Sequence, residues 1–423
     1  MRIVMAANWW YRRGGLGDVA LAEADALVSR GHAVIPFAAA HPDNVPALSS
    51  RYFPPFIETS TAGRDMGLVG KVTAAATLVY RPQAARLFGQ LLDEYRPDIV
   101  HLHGPARQLT PAVVGAARRR HIPVVMTLHD YLLVCPQGML VRRGTACRPP
   151  NCLSGNVLAA IEGRCVKGSL PASALAATET LIHRSLGLYT GNVELLVAPS
   201  RFLARLVASA AGVPGDRVRV LPNGLPDEPT DSALPAVDGR HVLFAGRLVR
   251  EKGVHVLLDA ARQIPEIPIV IAGDGPERAS LMNDAPPNAR FVGLLGRNEL
   301  GAVRSQAVAV VSPSVWDENA PLSVLEALRA GRPVIATNLG GHPELVTADC
   351  GLLVEPSDST GLAEAIARLW HDRATTDRLG LAARRRYLDR YGLDLHVDRL
   401  LDLYGQALRS ASRPVRAGSR LSR

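Results

Sequence analysis

Short apolar runs alternate along this chain with longer stretches whose apolar positions return every three to four residues. Six runs occupy the first half, RIVMAA, AVIPFA, DIVHLH, PVVMTL, ELLVAPS and RVRVLPNG. Six more occupy the second, HVLFAG, IPIVIAG, ARFVG, AVAVVSPS, PVIAT and GLLVEP. Such runs suit strands buried on both faces, and the helical stretches between them suit crossover helices, so the pattern predicts parallel sheets covered on both sides. Twelve strands are too many for one comfortable sheet. The stretch PNGLPDEPTDSALPAVDGR (222–240) is rich in Pro, Asp and Gly and has no apolar period, which predicts a linker. The expected fold class is therefore α/β, two doubly wound Rossmann-like domains facing each other across a cleft. We place the first domain at 1–228 and the second at 229–390. Residues 391–423 follow as a terminal helix, lying back across the first domain, and a basic tail.

Composition narrows the class. With 423 residues, 47% of them hydrophobic, the chain can bury a large core. The opening MRIVMAANWW reads as a strand, lacking the basic segment and small-residue cleavage site of a leader, so the expectation is a cytoplasmic protein. The segment LVGKVTAAATLVY is too short to span a membrane and carries Lys71, which leaves only peripheral contact at the membrane's inner face. The net charge of +9 is carried almost wholly by arginine, the lysines being Lys71, Lys167 and Lys252. We read that skew as coding bias, but it singles out Lys252. The clusters RRRH (118–121) and RSASRPVRAGSRLSR (409–423) offer anions a surface, although a solvated face is the simpler reading and nucleic acid is not an expected partner.

Ligands of open parallel sheets bind outside the carboxyl ends of the strands, so the residues following each strand carry the chemistry. After the first strand, Gly14, Gly15 and Gly17 precede a helix. Such a turn lets a phosphate approach the backbone, and it also occurs for packing alone. In FAGRLVREKG, Arg247 follows a strand and Lys252 comes five residues later, a pair of cations suited to a diphosphate. In IAGDGPE, Asp274 and Gly275 either sit beside a nucleotide base or close a turn. In VVSPSVWDENAPLSVLEALRAG, Pro321 suits the first turn of a helix whose free amides, at Asn319, Ala320, Leu322 and Ser323, form an anion site. Glu318 lies before that helix and Glu326 inside it. Eight helical residues rise about 12 Å, so the two carboxylates address different sugars of an extended ligand, with a phosphate between them.

These motifs together, with GDGPE and VLEALRAGRPVIATNLGGHPELV, resemble the retaining glycosyltransferases of family 4, which have the GT-B fold. The resemblance runs from about residue 1 to 390 and is most specific in 241–356. It implies a nucleotide-sugar donor held mainly by the second domain, with Arg247 and Lys252 on its diphosphate, Glu318 on the donor sugar and Glu326 on the ribose. His129 in PVVMTLHDY stands where relatives place a histidine beside the transferred sugar, and His103 in DIVHLHG also follows a strand end. The implied reaction is a front-face displacement with retention. It requires no cofactor or divalent metal, and its acceptor is a sugar, a lipid-linked intermediate or a polysaccharide.

Cys135, Cys147, Cys152 and Cys165 fall in one insertion (135–165) that follows His129, over the acceptor side of the cleft. Four thiolates can enclose a structural zinc, although the spacing is looser than that of common zinc ribbons, and free thiols or a redox pair stay open. Cys350 reads as a small buried residue. Two other functions remain open: a nucleotide-sugar epimerase of the same fold, and a basic, non-catalytic binding protein. The base, the sugar and the acceptor are not legible.

Overall fold

The computed structural model describes residues 1–12, 14–57, 76–104, 107–142, 144–148, 152–228 and 240–411. Lys71, most of the linker-like stretch 222–240 and the arginine-rich tail beyond 411 lie outside them. All twelve apolar runs are strands. The first sheet contains β1 (Arg2–Ala6), β2 (Ala33–Phe37), β3 (Ile99–His103), β4 (Val124–Thr127), β7 (Leu195–Ala198) and β8 (Val218–Val220), ordered β2-β1-β3-β4-β7-β8. The second contains β9 (His241–Ala245), β10 (Ile269–Ala272), β11 (Ala289–Gly293), β12 (Ala307–Ser312), β13 (Val334–Thr337) and β14 (Gly351–Val354), ordered β11-β10-β9-β12-β13-β14. Every pairing in both sheets is parallel. The insertion adds one element the pattern does not announce, a two-residue antiparallel hairpin of β5 (Val141–Arg142) and β6 (Thr145–Ala146).

Burial explains why the runs read as they do. Central strands β3, β4, β7, β10, β12 and β13 are buried at every position, whereas the edge strands β8, β11 and β14 are partly exposed. Only a strand covered by helices on both faces can be apolar throughout. Polar side chains set several helix starts: Ser169, Ser200, Asp358 and Asp372 each accept a hydrogen bond from an amide three residues on.

In both sheets the strand order reverses beside the first strand of the domain, between β1 and β3 and between β9 and β12. A crevice opens at such a switch point outside the carboxyl ends. The glycine turn, Arg247 and the Ser314–Glu318 loop follow β1, β9 and β12, and His103 is the last residue of β3.

The last helix, Leu393–Ala411, leaves the second domain and buries Val397, Leu400, Tyr404 and Ala407 in the core of the first. Where the chain returns, Leu225 bridges Gly392: Leu225 N–H donates to Tyr391 O and Leu393 N–H to Leu225 O, both at 2.9 Å.

Candidate active site

The carboxyl ends of the two sheets enclose a cavity of about 320 Å³. One wall comes from the first domain, at Gly14, Gly15, Leu16, His129, Pro199 and Asn223. The other comes from the second, at Phe244 to Arg247, Lys252, Ser312, Asn319 to Leu322, and Ser323. Thus Gly14, Gly15, His129, Arg247, Lys252, Asn319, Ala320 and Leu322 converge on one space. A Cβ added to Gly15 would stand 3.5 Å from Leu322 Cδ1, so the glycine turn sits directly opposite the helix Leu322–Arg329. Pro321 is the residue before that helix, one position earlier than its sequence suggests.

Four expected residues take other places. Gly17 is absent from the cavity wall; a Cβ there would meet Tyr11 O at 2.4 Å, so this glycine serves close packing of the turn on its helix. Asp274 is exposed and accepts from its neighbour Gly275 N–H at 2.7 Å, closing its own turn. Glu326 also lies off the wall and accepts from Arg304 Nη2 at 2.5 Å. Glu318 is 4% exposed and sits behind the wall, accepting from Lys252 Nζ at 2.5 Å and Ser314 Oγ at 2.7 Å. Burial works against the Glu318 charge, but the Lys252 ammonium outweighs it, with help from His342 and from the hydrogen bonds of Lys252 and Ser314. Its pKa is therefore lowered. The carboxylate thus fixes the lysine, whose Nζ lies 5.7 Å over the Trp316 ring and faces the cavity.

Across the cavity, His129 Nε2 lies 3.1 Å from His103 Nδ1. Beneath them Glu23, 1% exposed, directs Oε2 to within 3.4 Å of His103 Nε2, while its Oε1 lies 2.9 Å from His396 Nε2. His101 is saturated by Thr127 Oγ1 and Tyr404 Oη, both at 2.7 Å. Burial opposes the Glu23 charge, yet His103, His396 and His101 together hold its pKa down at about 2. Burial lowers His129 and His101 to about 4 and His103 well below its ordinary value.

Polar contacts cross between the domains around this site. Tyr131 Oη donates to Asp317 O at 2.7 Å, Arg148 pairs with Asp317 at 2.6 Å, and Ser200 Oγ donates to Asn319 Oδ1 at 2.8 Å. Glu344 accepts from the backbone amides of Arg201 and Phe202, at 2.7 and 2.6 Å, capping a first-domain helix from the second domain.

The cysteines of the insertion, Cys135, Cys147, Cys152 and Cys165, line one small apolar cavity with Leu140, Val141 and Ala160, and all are free thiols. Burial and the neighbouring cysteines push Cys152 up to about 11, and burial raises Cys165. Among the described residues, the group whose potential ligand atoms lie within 4.8 Å of one another is Glu23, His101 and His103; no three cysteine sulfurs close to that distance. Cys350 is fully buried.

Glycosyltransferase Family 4 matches residues 13–228, just over half of the chain, and Glycosyl transferases group 1 matches residues 230–386. The chain belongs to glycosyltransferase family 4. Among its curated relatives are O-antigen chain mannosyltransferase C of Escherichia coli, 32% identical over 47% of this chain, and the glycogen synthase of Mycobacterium tuberculosis, 26% identical over 76%. The matches span 57% and 71% of those relatives' own lengths. The fold is GT-B, shared with sucrose-phosphate synthase from Thermosynechococcus elongatus (TM-score 0.69, 20% identity, 97% of this chain and 99% of that one). It is shared too with HepE of Anabaena, solved in complex with UDP-glucose (TM-score 0.66, 18% identity, 96% and 99%).

In this family 4 chain the sequence reading passed over several residues that build the site. Asn223 lines the cavity from the end of β8. His342, buried between Ser312 Oγ at 2.9 Å and Thr337 O at 3.0 Å, packs behind the second domain's side of the cavity, and burial lowers it to about 4. Glu23 had a readable signal. It falls four residues after Val19 and four before Leu27, both buried, where an amphipathic helix would carry an apolar residue. Among the described residues no helix is long and apolar enough to cross a membrane.

Proposed function

We propose that the chain transfers a sugar, with retention of anomeric configuration, from a nucleotide diphosphate sugar to a lipid-linked or polysaccharide acceptor. One observation carries this reading: two cations and a helix amino end, all on the second domain, face a histidine and a glycine turn of the first across a single cavity. Arg247 and Lys252 would meet the diphosphate, and the amides opening Leu322–Arg329 would add the positive end of a helix dipole. Those groups stabilise negative charge as it develops on the departing phosphate, which is electrostatic catalysis that assigns no metal to the reaction. Glu318 holds Lys252 in place in this account. His129 would contact the transferred sugar, and the leaving phosphate oxygen would take the acceptor's proton on the same face.

The relatives fit such a substrate class, since they include a mannosyltransferase of O-antigen chains, a glycogen synthase and a structure solved with UDP-glucose. The test has two steps. UDP, GDP, ADP and their sugar conjugates are screened for an upward shift of Tm, because selective binding to the folded state raises it. The nucleotide that shifts Tm is then supplied as its sugar conjugate with glycan and lipid-linked acceptors, and the anomer of the first-formed product is read by proton NMR. Inversion of the anomer refutes retention. A donor that binds without ever being turned over favours the non-catalytic reading.

A further inference from the structure

The polar cluster beneath His129 has a feature that packing does not require: its hydrogen-bonding capacity fixes where the protons sit. His396 lies between two acceptors, Pro222 O at 2.7 Å from Nδ1 and Glu23 Oε1 at 2.9 Å from Nε2. A carbonyl and a carboxylate can only accept, so with Glu23 ionised both nitrogens of His396 carry protons. The remaining carboxylate oxygen, Oε2, has no hydrogen bond and is buried, as is His103 Nε2, 3.4 Å away. His101 cannot turn to either of them, since Thr127 and Tyr404 occupy both its nitrogens.

His103 can then take two forms. With its proton on Nδ1, it presents a bare lone pair at Nε2 to the carboxylate, which is repulsive at that distance in a water-free interior. With its proton on Nε2, it presents N–H to the carboxylate, and Nδ1 becomes an acceptor. The 3.1 Å contact then requires the proton of His129 to be on Nε2. The Nδ1 of His129 is left bare as the ring nitrogen available to a group in the cavity.

We propose that Glu23 is a positioning residue that, acting through His103, holds His129 in the neutral Nε2–H form, so that its Nδ1 accepts a hydrogen bond from a hydroxyl of the donor sugar. His396, on the last helix, completes the device by fixing Glu23. The C-terminal helix therefore contributes to the state of a residue in the site as well as to the core of the first domain. The consequence for turnover rests on the function proposed above, but the proton placement does not.

The test is a long-range nitrogen–proton correlation spectrum of the full chain labelled at histidine, with the His129 signals identified by subtracting the spectrum of His129→Asn. The wild type is expected to show His129 protonated at Nε2 and bare at Nδ1. In Glu23→Gln, the amide can donate to His103 Nε2, so both histidines are expected to switch tautomer. The kcat/KM for the donor should then fall about tenfold, the worth of one hydrogen bond. His129 protonated at Nδ1 in the wild type overturns the proposal, and this measurement does not depend on the Glu23→Gln variant folding. So does an Nε2–H form that persists in a folded Glu23→Gln protein. If the tautomer is as expected and no nucleotide sugar is turned over, the proposed reaction falls and the proton placement stands.

Discussion

Replacing Lys252 by Met should cost far more stability than replacing its partner Glu318 by Gln, although the two share one ion pair. The asymmetry follows from burial: the Glu318 side chain is 6% exposed and that of Lys252 is 25% exposed. Stranding a buried charge costs about 3–5 kcal/mol. Here the Ser314 hydroxyl still donates to the carboxylate, so we expect about 2–3 kcal/mol for Lys252→Met. In Glu318→Gln the ammonium can turn to solvent in the cavity, and the cost falls to about 1 kcal/mol. For a domain of this size these correspond to about 5–10 °C and 2–4 °C in Tm.

The pH dependence carries the sign. In the wild type the Glu318 pKa is lowered, so its contribution is present above the unfolded carboxylate value and is lost as pH falls through the folded one. Without Lys252, burial dominates and the folded pKa rises. Stability is then full below the unfolded value, near 4.3, and is lost as pH rises. The gap between Lys252→Met and wild type should thus be wide at about pH 7.5 and narrow at about pH 5. The assay is urea and thermal unfolding, following the transition that the bound nucleotide shifts, for both single variants and the double variant. The double variant should be more stable than Lys252→Met alone. A Glu318→Gln cost equal to that of Lys252→Met, or a gap that does not change with pH, refutes the argument.

Three other outcomes are expected. Glu344→Ala removes the acceptor of two helix-start amides across the domain boundary, so unfolding should be easier by about 1 kcal/mol, checked by urea titration. Gly340→Ala places a Cβ at positive φ (57°) and 2.3 Å from Glu318 O, so it should lower Tm and donor affinity together, and an unchanged thermal shift with nucleotide would contradict that. In the insertion, Cys152, buried and with its thiol pushed up to about 11, should be alkylated more slowly than a free cysteine at neutral pH. Metal content read with a chelator melt tests zinc there: because no three of these sulfurs close on a common point, four alkylatable thiols without metal are the expected result, and about one zinc per chain whose removal lowers Tm refutes it.

The fold was legible because parallel-sheet strands state their burial outright: every residue of Ala307–Ser312 is apolar or small, and every one is buried. Strand ends were legible for the same reason, and they led to Arg247, Lys252 and His129. The hairpin Val141–Arg142 with Thr145–Ala146 was not, since two residues per strand leave no period to read. Partners far apart in sequence were the other loss. Nothing local says that Glu326 faces Arg304, that Glu318 turns inward to Lys252, or that His396 meets Glu23 across 373 positions. A spacing of two glutamates gives the rise between them but not the direction in which each carboxylate points, which tertiary packing decides.

The Leu225–Gly392 bridge bears on how the cleft can change width. The polypeptide passes between the domains twice, once after Leu225 and once before Leu393, and the two passages lie side by side, stitched by reciprocal backbone bonds. Two adjacent pins define an axle. Translation and twist of one domain against the other would tear both passages apart, whereas rotation about the line through them leaves both intact. Such a rotation would change the width of the cavity between the glycine turn and the helix Leu322–Arg329, and it would first have to break the contacts that Tyr131, Arg148, Ser200 and Glu344 make across the domains.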